Sequence, residues 1–412
     1  MKFKKTIGKI HLWLGLTSGL VVFIVAITGC LWVFQDEIRP LVYQDRMYID
    51  PPSGDNDRMP LTALVKAAEE AMGNGYSVER AYYPTAENET VYIQFRKFNE
   101  GAEDTVLWYG DYIDYYYKVF LNPYTGEVVN IENTKWEFFN VVLWAHFTLL
   151  LPYSIGHEVV GYGILVFVIM LITGLVLWWP KNRPAARQRF WFRWKQTTRW
   201  KRKNYDLHNI LGFYALVFAL VIAVTGLVWS FDWVSEGIQW VANGGKSIKA
   251  DHKHPKITFT EPDQDQVFDA IMTKMVGRHP DAHYFYIRFP RTKDSPMSIN
   301  ATMGEHGYGN YIRYLMHPYT AEIIEESRFE NLNNGEKAVE LNYPIHVGSI
   351  LGIPGKILAF LTSLVTASLP LSGCLIWLGR RRKKKRKPSG SKQSIQRSSP
   401  LASPSQLQKH FQ

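Results

Sequence analysis

Four long apolar runs, at residues 12–34, 157–179, 209–231 and 356–378, divide the chain, and the stretches between them are polar or mixed. Each run holds about 20 apolar residues, the length an α-helix needs to cross a hydrocarbon core of roughly 30 Å. Trp13, Trp32, Trp178, Trp179, Trp229, Trp233 and Trp377 lie at the ends of the runs, where indole rings favour a membrane interface. The pattern predicts four transmembrane helices, with two long polar segments and one short one between them.

The long segments have their own periodicity. In the first, residues 60–72 read as a helix ended by Gly73 and Gly75. Alternating runs follow at 78–83, 90–95, 105–109, 115–121 and 127–131 and read as strands. The second repeats the order, with a helix near 264–276 and strands near 282–289, 297–301, 311–316 and 322–326. Each segment therefore reads as a small α+β unit, a helix packed on an antiparallel sheet. Asn122-Pro-Tyr-Thr-Gly-Glu and His317-Pro-Tyr-Thr-Ala-Glu suit a hairpin turn, with Pro in second place and Gly126 supplying a positive φ in the first copy.

These matches belong to a longer repeat at an offset of about 197 residues. His11 and Gly15 recur as His208 and Gly212, and Thr28-Gly29 recurs as Thr225-Gly226. His146 matches His346, and Thr173-Gly174 matches Ser372-Gly373. The chain thus divides into two parallel repeats of helix, polar domain and helix. The boundaries are 1–34 (N-terminus and first span), 35–137 (first outer domain), 138–180 (interfacial segment and second span) and 181–206 (basic loop). The second half runs through 207–231 (third span), 232–343 (second outer domain), 344–379 (interfacial segment and fourth span) and 380–412 (tail).

Charge sets the expected orientation. Lys2, Lys4 and Lys5 precede the first run, residues 181–203 carry ten Lys or Arg and no Asp or Glu, and a basic run from Arg380 to Lys387 follows the fourth. The positive-inside rule then puts both termini in the cytoplasm and both long domains outside. The first outer domain is acidic, with 18 acidic against 9 basic residues over 36–135, so the net charge of +10 comes from the cytoplasmic edges. Anionic lipid headgroups account for that charge, and no nucleic-acid partner is expected. Cys30 and Cys374 are the only cysteines and fall near opposite faces, so no disulfide between them is expected. Ile27-Thr-Gly-Cys30 looks like a lipoprotein cleavage site. The apolar run continues to Phe34, however, and Thr-Gly recurs at 225–226 without cysteine, which favours an uncleaved first span.

Ionisable residues in or at the edge of a span mark function by default. His11 and His208 open the first and third runs, and His146 and His346 precede the second and fourth. Parallel repeats are related by an axis along the membrane normal. Such an axis sets His11 opposite His208 at the cytoplasmic face and His146 opposite His346 at the outer face. Two imidazoles on one iron make a low-spin site suited to electron transfer, so the pattern reads as two bis-histidine haem sites at two depths. Gly15 and Gly212 each follow their histidine by four residues on the same helix face, where a missing side chain leaves room for a flat macrocycle. Gly19 extends that face in the first half. The plainer reading, interfacial histidines bonded to lipid or backbone, is weakened by the repetition of all four. His157, with Lys356 near its place in the other half, is an alternative outer ligand or a contact for a haem propionate. It ranks below His146, which alone has a repeat partner.

His252-Lys-His254 has spacing that could hold a metal, though surface histidines this close are commonly incidental. His279, His283, His306 and His317 show no matching pairs. The aromatic stretch 107–118 and Tyr284-Phe-Tyr286 could stack a bulky ligand, or pack in strands. No dinucleotide fingerprint, phosphate loop, HExxH or GxSxG is visible, so electrons for a redox site would come from a separate donor, a quinone or a cytoplasmic reductase. The Ser-, Gln- and Pro-rich tail 388–412 reads as disordered.

A helix followed by strands and an Asn-Pro-Tyr-Thr-Gly-Glu-Val turn is similar to the PepSY domain. Four spans with His-x-x-x-Gly starts and Thr-Gly ends around two such loops resemble the PepSY-associated transmembrane family over roughly residues 1–380. The resemblance implies a multi-pass protein of the bacterial inner membrane with two PepSY-like periplasmic domains. It also implies haem b, two groups on this ligand count, and an iron-regulated role: reduction of a periplasmic ferric siderophore or other ferric chelate to release ferrous iron. Two other functions fit the same pattern: a transporter or permease component for the iron complex, and a regulatory or scaffold protein whose outer domains bind an envelope partner.

Overall fold

The computed structural model describes residues 2–51, 57–99, 101, 105–248, 257, 264–304 and 309–385. His252, His254, His306 and the tail 388–412 lie outside the described residues. The chain opens with α1 (Lys2–Trp32), α2 (Gln35–Val42), α3 (Gln44–Met47) and α4 (Leu61–Met72). Then come β1 (Val78–Pro84), β2 (Val91–Phe98), α5 (Tyr109–Tyr112), β3 (Ile113–Leu121) and β4 (Val128–Asn133). Helices α6 (Phe138–Thr148), α7 (Tyr153–Trp178), α8 (Arg183–Phe190), α9 (Trp200–Ser230) and α10 (Asp232–Ala242) lead into the second half. That half contains α11 (Gln264–Arg278), β5 (Ala282–Arg288), β6 (Met297–Met303), β7 (Tyr311–Met316), β8 (Ile323–Arg328), α12 (Asn334–Glu340), α13 (Asn342–His346) and α14 (Gly352–Lys385).

Four helices, α1, α7, α9 and α14, are long and apolar enough to cross a membrane. They close into a ring in which α1 packs on α7 and α14, and α9 packs on the same two. Val22, Phe167, Leu171, Ala219 and Ala223 fill its centre, while Leu20, Ile172, Val217 and Leu371 point outward, as lipid-facing residues do. Both α1 and α9 begin well before the expected runs, so His11 and His208 sit inside helices and not at their starts.

The two expected α+β units are joined. Strand β1 pairs antiparallel with β5, with Tyr82 opposite Tyr286, and the result is one eight-stranded sheet in the order β4-β3-β2-β1-β5-β6-β7-β8. Helices α4 and α11 cover one face of this sheet. Leu61, Leu64, Ile271 and Met275 bury there against Ile93, Phe95, Phe285 and Ile299, and each such side chain contributes about 1.5–3 kcal/mol of burial. Thr62 ties the helices together, its N–H and hydroxyl both donating to Asp269.

The strand expected at 105–109 is absent. Tyr109 starts α5, is fully buried, donates its hydroxyl to the Lys135 carbonyl at 2.6 Å and packs on Trp144. The aromatic alternation there reflects a small core under α6 and not strand pairing.

Two short helices enter the sheet end of the bundle. Helix α6 ends where Leu149 and Leu150 both take left-handed φ, and the chain doubles back into α7. The approach is so close that a Cβ on Gly156 would lie 2.1 Å from the Thr148 carbonyl oxygen. In the second half α13 doubles back into α14, and a Cβ on Gly355 would lie 2.1 Å from the Gly348 carbonyl oxygen. These tight turns hold α6 and α13 beside the long helices, and α6 carries His146 while α13 ends on His346.

Candidate functional site

The four histidines at 11, 146, 208 and 346 are held in one recurring way. The Nδ1 of His11 lies 2.9 Å from Thr173 Oγ1, that of His146 lies 3.1 Å from Thr28 Oγ1, that of His208 lies 2.9 Å from Ser372 Oγ, and that of His346 lies 2.9 Å from Thr225 Oγ1. Each hydroxyl belongs to a neighbouring helix of the same half. Each is itself anchored to carbonyls one turn back, as Thr225 is to Val221 and Ile222.

Each ring also faces a backbone carbonyl three residues before that hydroxyl. For His146 this is Val25 O, 2.9 Å from Nδ1; for His11, His208 and His346 it is Met170, Leu369 and Ile222. A carbonyl only accepts, so the proton of His146 is on Nδ1, and the matching surroundings assign the same tautomer to the other three. Every Nε2 then carries a lone pair, and none has a hydrogen-bond partner among the described residues. A neutral imidazole whose other nitrogen donates to a fixed hydrogen-bond acceptor is the form that binds a metal.

A glycine stands beside each ring. Cβ atoms on Gly174, Gly29, Gly373 and Gly226 would lie 3.4, 3.3, 3.4 and 3.5 Å from Cε1 of His11, His146, His208 and His346. Thr-Gly or Ser-Gly is therefore the histidine's seat, with the hydroxyl fixing the ring and the missing side chain making room for it. In the sequence these dipeptides stand out as repeat markers, but not as histidine partners. Four histidines accompanied by four such dipeptides, two in each half, is the signal that could have found them.

The histidines gather in two layers. His146 and His346 meet at the sheet end, their ring centroids 6.1 Å apart and steeply inclined, with Trp229 5.2 Å from His346. At the end near the basic loop, His11 and His208 are electrostatic neighbours. At 1.5 Å rise per residue the layers stand roughly 25 Å apart along α1.

Four other expected residues do not touch the rings. His157 stacks on Tyr153 at 4.7 Å and shares no described contact with the four. Gly15 faces Met170 on α7 and Gly212 faces Leu369 on α14. Gly19 faces Pro370 of α14, where it permits close helix packing.

Residues 9–380 match the family model described as the PepSY-associated TM region. The chain belongs to that family. No curated protein matches it. The match takes in most or all of each long helix, all four histidines and the whole sheet.

His146 and His346, with ring centroids 6.1 Å apart, are the pair that would hold one haem iron. With Nε2 unpartnered among the described residues on all four rings, these imidazoles have the chemistry of haem-iron ligands.

Proposed function

We propose that this protein is a dihaem electron-transfer protein of the bacterial inner membrane that reduces a ferric siderophore or other ferric chelate on the periplasmic side. The reading includes two parallel repeats, each with a PepSY-like periplasmic half-sheet, both termini in the cytoplasm, and a quinone or cytoplasmic reductase as donor. Haem b bound between the paired histidines would supply reversible one-electron chemistry at iron. The observation that carries the reading is the fourfold seat: Nδ1 of each histidine held by a Thr or Ser hydroxyl, with Nε2 left open.

The chain's own residues do three things in this account. Thr28, Thr173, Thr225 and Ser372 fix the tautomer and rotation of the rings, which makes Nε2 a better base. Gly29, Gly174, Gly226 and Gly373 let each ring lie close against the neighbouring helix. The apolar centre around Val22, Phe167 and Ala219 separates the layers, and this packing favours electron transfer over a permease path for a charged complex. Reduction releases the metal because ferrous iron is a softer, less charged acid for oxygen ligands.

The test uses proteoliposomes with dithionite enclosed and ferric citrate plus a ferrous-specific chromogen outside. Ferrous signal above that of empty vesicles, abolished in His11→Ala, is expected. A rate equal to that of empty vesicles would contradict the proposal.

A further inference from the structure

A cavity of about 500 Å³ lies between the bundle-facing side of the sheet and the ends of the helices that hold the sheet-side histidine pair. One wall is a row of tyrosines from three adjacent strands. Tyr82 of β1 stacks on Tyr92 of β2 with centroids 5.0 Å apart and planes 9° apart, and it lies 4.9 Å from Tyr284 of β5. The opposite wall comes from α2, α3 and the start of α14, where the cations are matched. Arg39 pairs with Glu137, Arg46 with Glu132, and Lys356 with Asp36 and Glu37.

Lys118 is different. It rises from β3 into the cavity, is half-buried, and holds its ammonium 4.8 Å over the Tyr92 ring. It has no ion pair and no hydrogen bond among the described residues. The remaining acid of the lining, Glu89, forms no ion pair with Lys118; burial raises its carboxyl above the usual range. An ammonium on the cavity wall with no oxygen partner is the group that an anionic ligand would complete.

The cavity's position gives the ligand a role. Helix α2 follows α1 just beyond Thr28-Gly29, Glu137 caps the helix that carries His146, and Ser349 follows His346 closely in the chain. An occupant of the space would contact Glu137, the cap of α6, and Ser349, three residues after His346.

We propose that this cavity binds an anionic ligand bearing a planar ring, a phenolate or aryl carboxylate, with Lys118 Nζ on its anionic oxygen and Tyr82, Tyr92 and Tyr284 along the ring. Such a ligand, free or as the donor arm of an iron chelate, is the class of redox partner that the sheet-side pair serves. That redox role rests on the proposed function, whereas the binding does not. The volume suits a compact ligand with one or a few rings.

The test is calorimetric titration of the full chain in detergent with salicylate, its neutral isostere salicylamide, and inorganic phosphate. Salicylate is expected to bind one per chain, and the other two at least about tenfold more weakly. Lys118→Met should reduce salicylate to the level of salicylamide while leaving salicylamide unchanged, Lys118→Arg should restore it, and Tyr92→Leu should weaken both ring compounds. Equal salicylate binding in Lys118→Met, phosphate binding as tight as salicylate, or no salicylate heat at all would overturn the assignment. Haem content measured on the same samples is independent of these outcomes, so failure here leaves the haem reading standing, and loss of haem leaves this one standing.

Discussion

At the scale of single residues, the seat of each histidine is the feature on which the account depends. A hydroxyl already bonded back to its own helix offers a lone pair to Nδ1–H, and a valine in its place offers none. Thr225→Val therefore should weaken retention of the group held by His346 by about ten- to a hundredfold, read as the loss of one absorbance component during detergent dialysis; unchanged retention would count against the hydroxyl's role. The turn residues allow a stability prediction. In the first turn Gly126 has φ +72°, while the matching Ala321 has φ +57°, a conformation that disfavours a Cβ by about 1 kcal/mol or more. Ala321→Gly should stabilise the sheet by about that amount in chemical denaturation. The histidines themselves were legible in the sequence because they are polar residues in apolar runs. Their seats were not, since each hydroxyl is more than a hundred positions from its histidine and only the folded bundle joins them.

At the scale of elements, the short helices α6 and α13 bring histidines to the sheet end, and their anchoring should be measurable. Glu137 caps α6 by accepting the N–H groups of Phe139 and Asn140, and it also holds Arg39 and the Tyr43 hydroxyl. Burial alone would raise its carboxyl, but these partners together hold it below the usual range. A depressed carboxylate contributes stability that is present above its unfolded pKa and lost as pH falls through its folded one. Glu137→Ala should therefore cost about 1–2 kcal/mol at neutral pH, with the gap in melting temperature closing in acid; a gap constant with pH would refute this. Most elements were readable from periodicity, including the four spans, both helices on the sheet and nearly every strand. The segment 105–109 misled because burying Tyr109 against Trp144 produces the same alternation as a strand.

At the scale of the whole molecule, the two halves meet twice, in the ring of spans and across β1 and β5. The sequence repeat foretold two units, but their fusion into one sheet depends on an edge pairing that no local pattern encodes. The cavity beneath that sheet was equally hidden, being assembled from both halves. Its lysine gives a stability signature. Burial lowers the Lys118 ammonium to about 8 from an ordinary 10.5, while Glu132 and Glu137 oppose that shift and Arg39 and Arg46 add to it. The folded state then releases its proton before the unfolded state does, so the penalty is complete below about pH 8 and is relieved as pH rises toward 10.5. Lys118→Met should melt higher than the natural chain at pH 7, with the difference shrinking by pH 10, and salicylate binding should fade over the same rise.

The most direct measurement is the dithionite-reduced minus oxidised visible spectrum of the purified chain, with a pyridine haemochrome count. The account predicts about two b-type haem groups per chain, one lost in His346→Ala and the other in His11→Ala. Protein from haem-replete cells that carries no haem, or that keeps both groups in these variants, would contradict it.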